Sequence, residues 1–257
     1  MRYRLRISYD GAPLSGWQCQ NNAPSVQEEV SKALSTLLGG EIQVTGAGRT
    51  DAGVNAVNYI AHFDTPSDEP LDTGRIEYKL NAILPRNIVV HELSPVPEDF
   101  HARFSATSRR YHYFIHFRKD PFAERFSWRS IHPLDLEKMN LGAQYLLGTH
   151  DFSCFEKVGG NNKTSICTVK TARWSTYTPT HAAVTGYPCT EGDYIVFEIE
   201  ADRFLRNMVR AVVGSLVEVG RGKKEPGWIG ELIEKGTRSD AGTSVPGNAL
   251  FRSGVEY

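Results

Sequence analysis

In the stretch Gly46-Ala47-Gly48-Arg49-Thr50-Asp51-Ala52-Gly53-Val54-Asn55-Ala56, a guanidinium and a carboxylate, Arg49 and Asp51, stand two residues apart. Three of the eight residues from 46 to 53 are glycine, so the backbone can turn sharply and let another molecule come close. A carboxylate shown on such a loop has the makings of a nucleophile or a base. A hairpin turn with both charges solvated is the competing reading. The loop is not a Walker-type phosphate cradle, because no Gly-Lys-Ser/Thr ending follows. Nor is it a dinucleotide fingerprint, since no helix-period pattern comes after it. His150-Asp151 is another pair of reactive types, but no nucleophile lies near it in sequence, and a loop hydrogen bond is its expected use. A hydrolase with Asp51 as nucleophile lacks a paired acid, base or oxyanion donor at recognisable spacing. The four cysteines (Cys19, Cys154, Cys167, Cys189) show no Cys-x-x-Cys spacing, so reduced, structural thiols are expected rather than a zinc or redox site.

The elements that must position this loop are legible on both sides of it. A short apolar strand, Ile42 to Thr45, is expected before it, and an alternating one after it with Val57, Tyr59, Ala61 and Phe63. Arg2 to Tyr9 alternates, with Tyr3, Leu5, Ile7 and Tyr9 on one face, which predicts a half-buried strand. Asp10 to Ala23 carries Gly11, Pro13, Gly16 and the asparagines Asn21 and Asn22, a loop composition. Within that loop Trp17 is a large aromatic where exposure would be the rule. Ser25-x-x-Glu28 is a capping box, Val26, Val30, Leu34 and Leu37 share one helical face, and Gly39-Gly40 ends the helix. Asp64 to Asp72 is acidic and proline-containing, a solvated connection. Ile76, Leu80, Ile83 and Leu84 predict a short helix stopped by Pro85, and Ile88 to Leu93 a strand. The order is β-α-β-β-α-β, that of a ferredoxin-like unit.

From His101 to Ser130 the composition shifts. Seven cations (Arg103, Arg109, Arg110, Arg118, Lys119, Arg125, Arg129) face only Asp120 and Glu124. Arg110 to Phe117 is a strand with aromatics on both faces, and cations interleaved with aromatics suit phosphates and unstacked bases. The bland alternative is a sheet strand with solvated arginines. Leu136, Met139, Ala143 and Leu146 predict a helix from near Pro133 to Gly148. Ser165 to Thr176 and Tyr194 to Ala201 read as strands, with Pro179 to Gly192 a surface excursion between them. A helix is expected over Phe204 to Val219, a shorter one around Trp228 to Ile233, and a last strand from Leu250 to Tyr257. The fold class is α+β: two halves, residues 1–104 and 105–257, with mixed, mainly antiparallel sheets flanked by helices, and the Asp51 loop facing a central cleft.

At 257 residues, with 40% hydrophobic and 23% charged residues, the composition is that of a soluble globular protein. No apolar run approaches the roughly 20 residues that span a bilayer. The start, Met1-Arg2-Tyr3-Arg4, lacks the apolar block of a signal peptide, so a cytoplasmic address is expected. The formal net charge of −1 argues against a nucleic-acid partner unless cations are locally concentrated.

Gly48-Arg49-Thr50-Asp51-Ala52-Gly53-Val54 resembles the signature of the tRNA pseudouridine synthase A (TruA) family, Gly-Arg-Thr-Asp-Ala-Gly-Val-His-Ala. Further matches follow in order along nearly the whole chain. They are Tyr9-Asp10-Gly11 with Ser15-Gly16-Trp17-Gln18, Leu80-Asn81-x-x-Leu84-Pro85, and Phe100-His101-Ala102-Arg103-Phe104-Ser105-Ala106. Arg110-Tyr111-x-Tyr113, Leu147-Gly148-Thr149-His150-Asp151-Phe152-Ser153 and Asn207-Met208-Val209-Arg210 continue them, then Val213-Gly214-Ser215-Leu216 and Val219-Gly220. Asn55 stands where the family has histidine, and Ala241 to Leu250 follows the family's C-terminal motif only loosely; both departures are expected at the pocket rim.

The resemblance implies an isomerase that converts uridine to pseudouridine in the anticodon stem-loop of tRNA, at tRNA positions 38, 39 and 40. It implies a homodimer with no metal and no nucleotide or other cofactor. Asp51 is then the catalytic carboxylate and Arg210 its ion-pair partner. Tyr111 stacks on the target base, Arg49 helps hold the extruded nucleotide, and Leu250 lines the substrate pocket. Arg103, Arg109, Arg110 and Arg206 are assigned to RNA phosphates. A catalytically silent tRNA-binding module of the same fold is the alternative, and intact Asp51, Tyr111 and Arg210 weigh against it.

Overall fold

The computed structural model describes residues 1–20, 23–67, 69–157, 159 and 163–257; the loop asparagines Asn21 and Asn22 lie outside the described residues, as does Asp68 of the acidic connection. The first elements are β1 (Arg2–Tyr9), α1 (Val26–Leu38), β2 (Thr45–Gly46), β3 (Asn55–Asp64), α2 (Thr73–Ile83) and β4 (Ile88–Val96). There follow β5 (Ser108–His116), β6 (Trp128–Arg129), α3 (Leu136–Gln144), β7 (Gly148–Asp151) and β8 (Ile166–Thr176). The last are α4 (Thr180–Thr185), β9 (Tyr194–Ala201), α5 (Met208–Gly220), α6 (Trp228–Lys235) and β10 (Leu250–Glu256). The chain forms two compact units, Met1–Ser108 with Phe251–Tyr257, and Arg109–Leu250.

In the first unit the alternation of β1 does what it predicts: Tyr3, Leu5, Ile7 and Tyr9 are buried. The arginines of the other face are paired, Arg2 with Asp64 at 2.8 Å and both Arg4 and Arg6 with Glu92. β1 lies antiparallel between β3 and β4, and β2 pairs with β3, the ferredoxin-like order 4-1-3-2. Ser25 caps α1, its hydroxyl accepting from the Glu28 N–H at 3.3 Å, and Gly39 ends the helix in the left-handed conformation at φ 74°.

Two strand expectations change in this unit. Ile42 and Val44 are buried but lie outside β2, because α1 takes their backbone groups. Ser35 Oγ accepts from the Ile42 N–H, Ser31 Oγ accepts from the Val44 N–H, and Gln27 Nε2 donates to the Val44 oxygen. In β3, Ile7 pairs with Tyr59 but Tyr9 pairs with Ala56. The extra residue on β3 is a bulge, and it turns Val57 outward while Tyr59, Ala61 and Phe63 remain buried.

β10 runs parallel to β3, with Phe251 opposite Asn55 and Arg252 opposite Ala56. The seven C-terminal residues therefore belong to the first unit, whereas the sequence reading kept them in the second half and drew the division at 104/105. Strand pairing across some two hundred residues leaves no local signature.

The second unit is built on the antiparallel order β5-β9-β8-β7, with β6 parallel to β5. α3 packs on β8 and on α5, whose residues are almost all buried. α5 starts at Met208 rather than Phe204, since Asn207 adopts φ 63°, outside the helical range. The excursion 179–192 holds the short α4. His150 and Asp151 form no dyad: His150 Nε2 bonds the Leu147 oxygen and Asp151 accepts from the Ser153 N–H. All four cysteines are free thiols. Among the described residues no helix is long and apolar enough to cross a membrane.

Candidate active site

The Asp51 loop leaves β2 at Gly46 and enters β3 at Asn55. Its start is set by two aromatics. Tyr59 is buried in β3, its ring stacks on Trp17 with centroids 4.2 Å apart, and its hydroxyl donates to the Gly48 oxygen at 2.5 Å. Trp17, the aromatic out of place in a loop, is thus the packing floor of the site. A Cβ on Gly46 would overlap the Tyr59 hydroxyl and come within 2.6 Å of Trp17 Cζ2, so glycine alone fits there.

The loop's second half is held by residues 11–17. The Trp17 N–H donates to the Thr50 oxygen at 3.2 Å, and the hydroxyls of Thr50 and Tyr9 share a 2.8 Å hydrogen bond. Gly16, at φ 93°, lies so close that a Cβ would stand 3.0 Å from the Asp51 carbonyl carbon. The Val54 N–H closes a turn onto the Asp51 oxygen at 3.2 Å. Thr50 and the Asp51 carbonyl are therefore held, while Asp51 is half-exposed and Arg49 exposed. A rigid backbone offering accessible reactive groups is the preorganised arrangement catalysis uses.

Asn55 is a correction: instead of lying at a rim it is 2% exposed, and its Oδ1 accepts from the Gly11 N–H at 2.9 Å. It ties the loop's exit to the 11–17 segment. One residue that holds this loop is absent from the sequence expectations. Arg252, on β10, is buried beneath the loop and donates to the oxygens of Ala47, at 3.2 Å, and Gly48, at 3.4 Å. Strand alternation could have found it, because Arg252 shares the face of buried Leu250.

Elsewhere in the first unit Arg103 is exposed with its guanidinium over the Phe104 ring. The turn that carries it is fastened by His62, whose Nδ1 accepts from the Ala102 N–H at 3.1 Å. Burial, then the neighbouring His101 and Arg2, lowers the His62 pKa to about 4.

In the second unit Tyr111 lies on β5, 8% exposed and edge-on to Phe204 at 5.1 Å. Tyr113, two residues on, is fully buried, and burial pushes its phenol far above the usual range. Arg210 lies on α5 with Nε donating to the Val245 oxygen at 2.7 Å. Leu250 is buried at the start of β10. Of the arginines assigned to phosphates, Arg206 is exposed, and Arg109 donates to the Asp202 oxygen. Arg110 is engaged by carboxylates, with Nη2 2.6 Å from Glu200 and Nε 3.6 Å from Glu198. Among the described residues no group of three His, Cys, Asp or Glu side chains could hold a metal ion.

Comparison with known proteins bears on what such a loop serves. The family described as tRNA pseudouridine synthase matches residues 143–257, and other similarities run the full length. The chain is 46% identical over 257 residues to tRNA pseudouridine synthase A of Bacteroides fragilis, covering 100% of this chain and 96% of that protein. It is 43% identical over 256 residues to the protein of the same name from Porphyromonas gingivalis, covering 100% and 97%. With that of Acetivibrio thermocellus the identity is 40% over 257 residues, covering 99% and 98%. Similarity of this depth extends far beyond the aspartate loop, and on it the chain belongs to the tRNA pseudouridine synthase A family.

Proposed function

We propose that this chain converts uridine to pseudouridine in tRNA, with Asp51 as the catalytic carboxylate. The observation that carries this is a half-exposed aspartate on a loop pinned at both flanks, in a chain whose full-length relatives bear the name tRNA pseudouridine synthase A. Substrate and product are isomers. The C1′–N1 bond breaks, the base turns, a C1′–C5 bond forms, C5 loses its proton and N1 gains one. No electron or phosphoryl group is exchanged, so the reaction needs neither metal nor cofactor. Asp51 would attack C1′ or C6, or assist proton removal from the sugar.

The proposal extends to uridines in the anticodon stem-loop at tRNA positions 38, 39 and 40, to action in the cytoplasm, and to a homodimer. It keeps Arg210 and Tyr111 as catalytic residues, Tyr111, Arg49 and Leu250 as substrate-binding residues, and Arg103, Arg109 and Arg206 as phosphate contacts. Arg110, already held by Glu200, is the weakest of that set. The test is a map of pseudouridine in tRNA from cells with and without the protein. Loss confined to the anticodon stem-loop is expected, and unchanged pseudouridine there would refute the proposed sites.

A further inference from the structure

Arg252 is the largest side chain wholly buried among the described residues, at 1% exposure. Its polar partners are the oxygens of Ala47 and Gly48, and its guanidinium lies over the face of the Tyr59 ring 4.9 Å away. Its Nε has no partner, and among the described residues no carboxylate pairs with it. Burying a cation without a counter-ion is costly. Leu250, on the same face of β10, shows that an apolar chain packs there. Packing alone therefore does not call for an arginine.

Both carbonyls that it binds lie at the root of the Asp51 loop. A trans peptide sets its C=O and N–H in opposite directions, so drawing the Gly48 oxygen inward turns the Arg49 N–H outward. That sets the orientation of the peptide that joins Gly48 to Arg49, two residues before Asp51. Gly48 holds φ 151°, and a Cβ there would stand 3.3 Å from Arg252 Nη1, so loop and guanidinium are fitted to each other.

We propose that Arg252 is a positioning residue for the reaction proposed above. It clamps the Ala47 and Gly48 peptides and so holds the Asp51 carboxylate in its reactive orientation. The inference rests on that functional reading, and its test has one arm that does not.

The test compares Arg252→Leu and Arg252→Lys in the whole protein. Turnover is read by tritium release from C5-labelled tRNA. Amide exchange is read in the free protein at Trp17 and Val54, whose N–H groups bond Thr50 and Asp51. Arg252→Leu should lower kcat about 10- to 100-fold with KM within about threefold, and lysine should restore part of the loss. Exchange at Trp17 and Val54 should rise about tenfold or more in Arg252→Leu, while the core of α1 stays protected. If that variant does not fold, Tyr59→Phe removes the other donor to the Gly48 oxygen and should show the same pattern more weakly. Wild-type kcat in the leucine variant, or unchanged exchange at Trp17 and Val54, would overturn the assignment. A wild-type protein that releases no tritium would instead refute the functional reading, and the exchange arm would still decide whether Arg252 holds the loop.

Discussion

Thr50 is buried and bound through both its carbonyl and its hydroxyl, whereas the next residue, Asp51, is only half-buried. Asp51→Asn preserves that shape but supplies neither nucleophile nor base. Tritium release should fall by several orders of magnitude, while tRNA binding stays within a few-fold because the arginines proposed as phosphate contacts lie elsewhere on the chain. Substantial release by the folded variant would move catalysis to another carboxylate. His62 gives a pH prediction. Its pKa falls from 6.5 to about 4 on folding, so the unfolded chain binds more protons between those values and stability drops as pH falls through them. The loss at full protonation is about 3 kcal/mol. Urea unfolding from pH 7 to pH 4 should show that slope, and His62→Gln should flatten it.

At the scale of elements, α1 does more than pack. Its Ser31, Ser35 and Gln27 hold the strand-like segment that leads into the loop, and its cap is Ser25. Ser25→Ala should cost about 1 kcal/mol of stability and leave turnover per folded molecule unchanged. Gly16→Ala makes the contrast. The side chain would strain φ 93° and overlap the Thr50 backbone oxygen, so stability should fall by more than the roughly 1–2 kcal/mol of the backbone strain alone and kcat should fall with it. Denaturant midpoints together with tritium release on the folded fraction separate the two. Equal kcat in both variants would mean that Gly16 serves folding alone.

For the whole molecule the question is how a chain of net charge −1 holds a polyanion. The expectation is a steep salt dependence from local cations, with log affinity falling by about 0.9 per neutralised duplex phosphate for each decade of salt. The structure sorts those cations. Arg206 is exposed, while Arg110 is committed to Glu200. Arg206→Gln should therefore lower the salt slope by about one, and Arg110→Gln should leave it unaltered while loosening the sheet. The reverse result would show that RNA takes Arg110 from its carboxylates. Light scattering at working concentrations tests the homodimer, and a fully active monomer would exclude it.

Features that depend on neighbours a few residues apart are legible in the residues alone. These are the alternation of β1, the Ser25 and Gly39 ends of α1, the β-α-β-β-α-β order, and the aspartate loop with its family signature. Features set by distant partners emerge only in the folded chain. The helix side chains that replace a strand before Gly46, the pairing of β10 with β3 and the capture of Arg110 by Glu200 are of that kind. So is Arg252, which reaches Ala47 from 205 residues away. Local periodicity reports which face of an element is apolar, but not which partner that face will meet. A buried cation under the loop becomes visible only once both strands share one sheet.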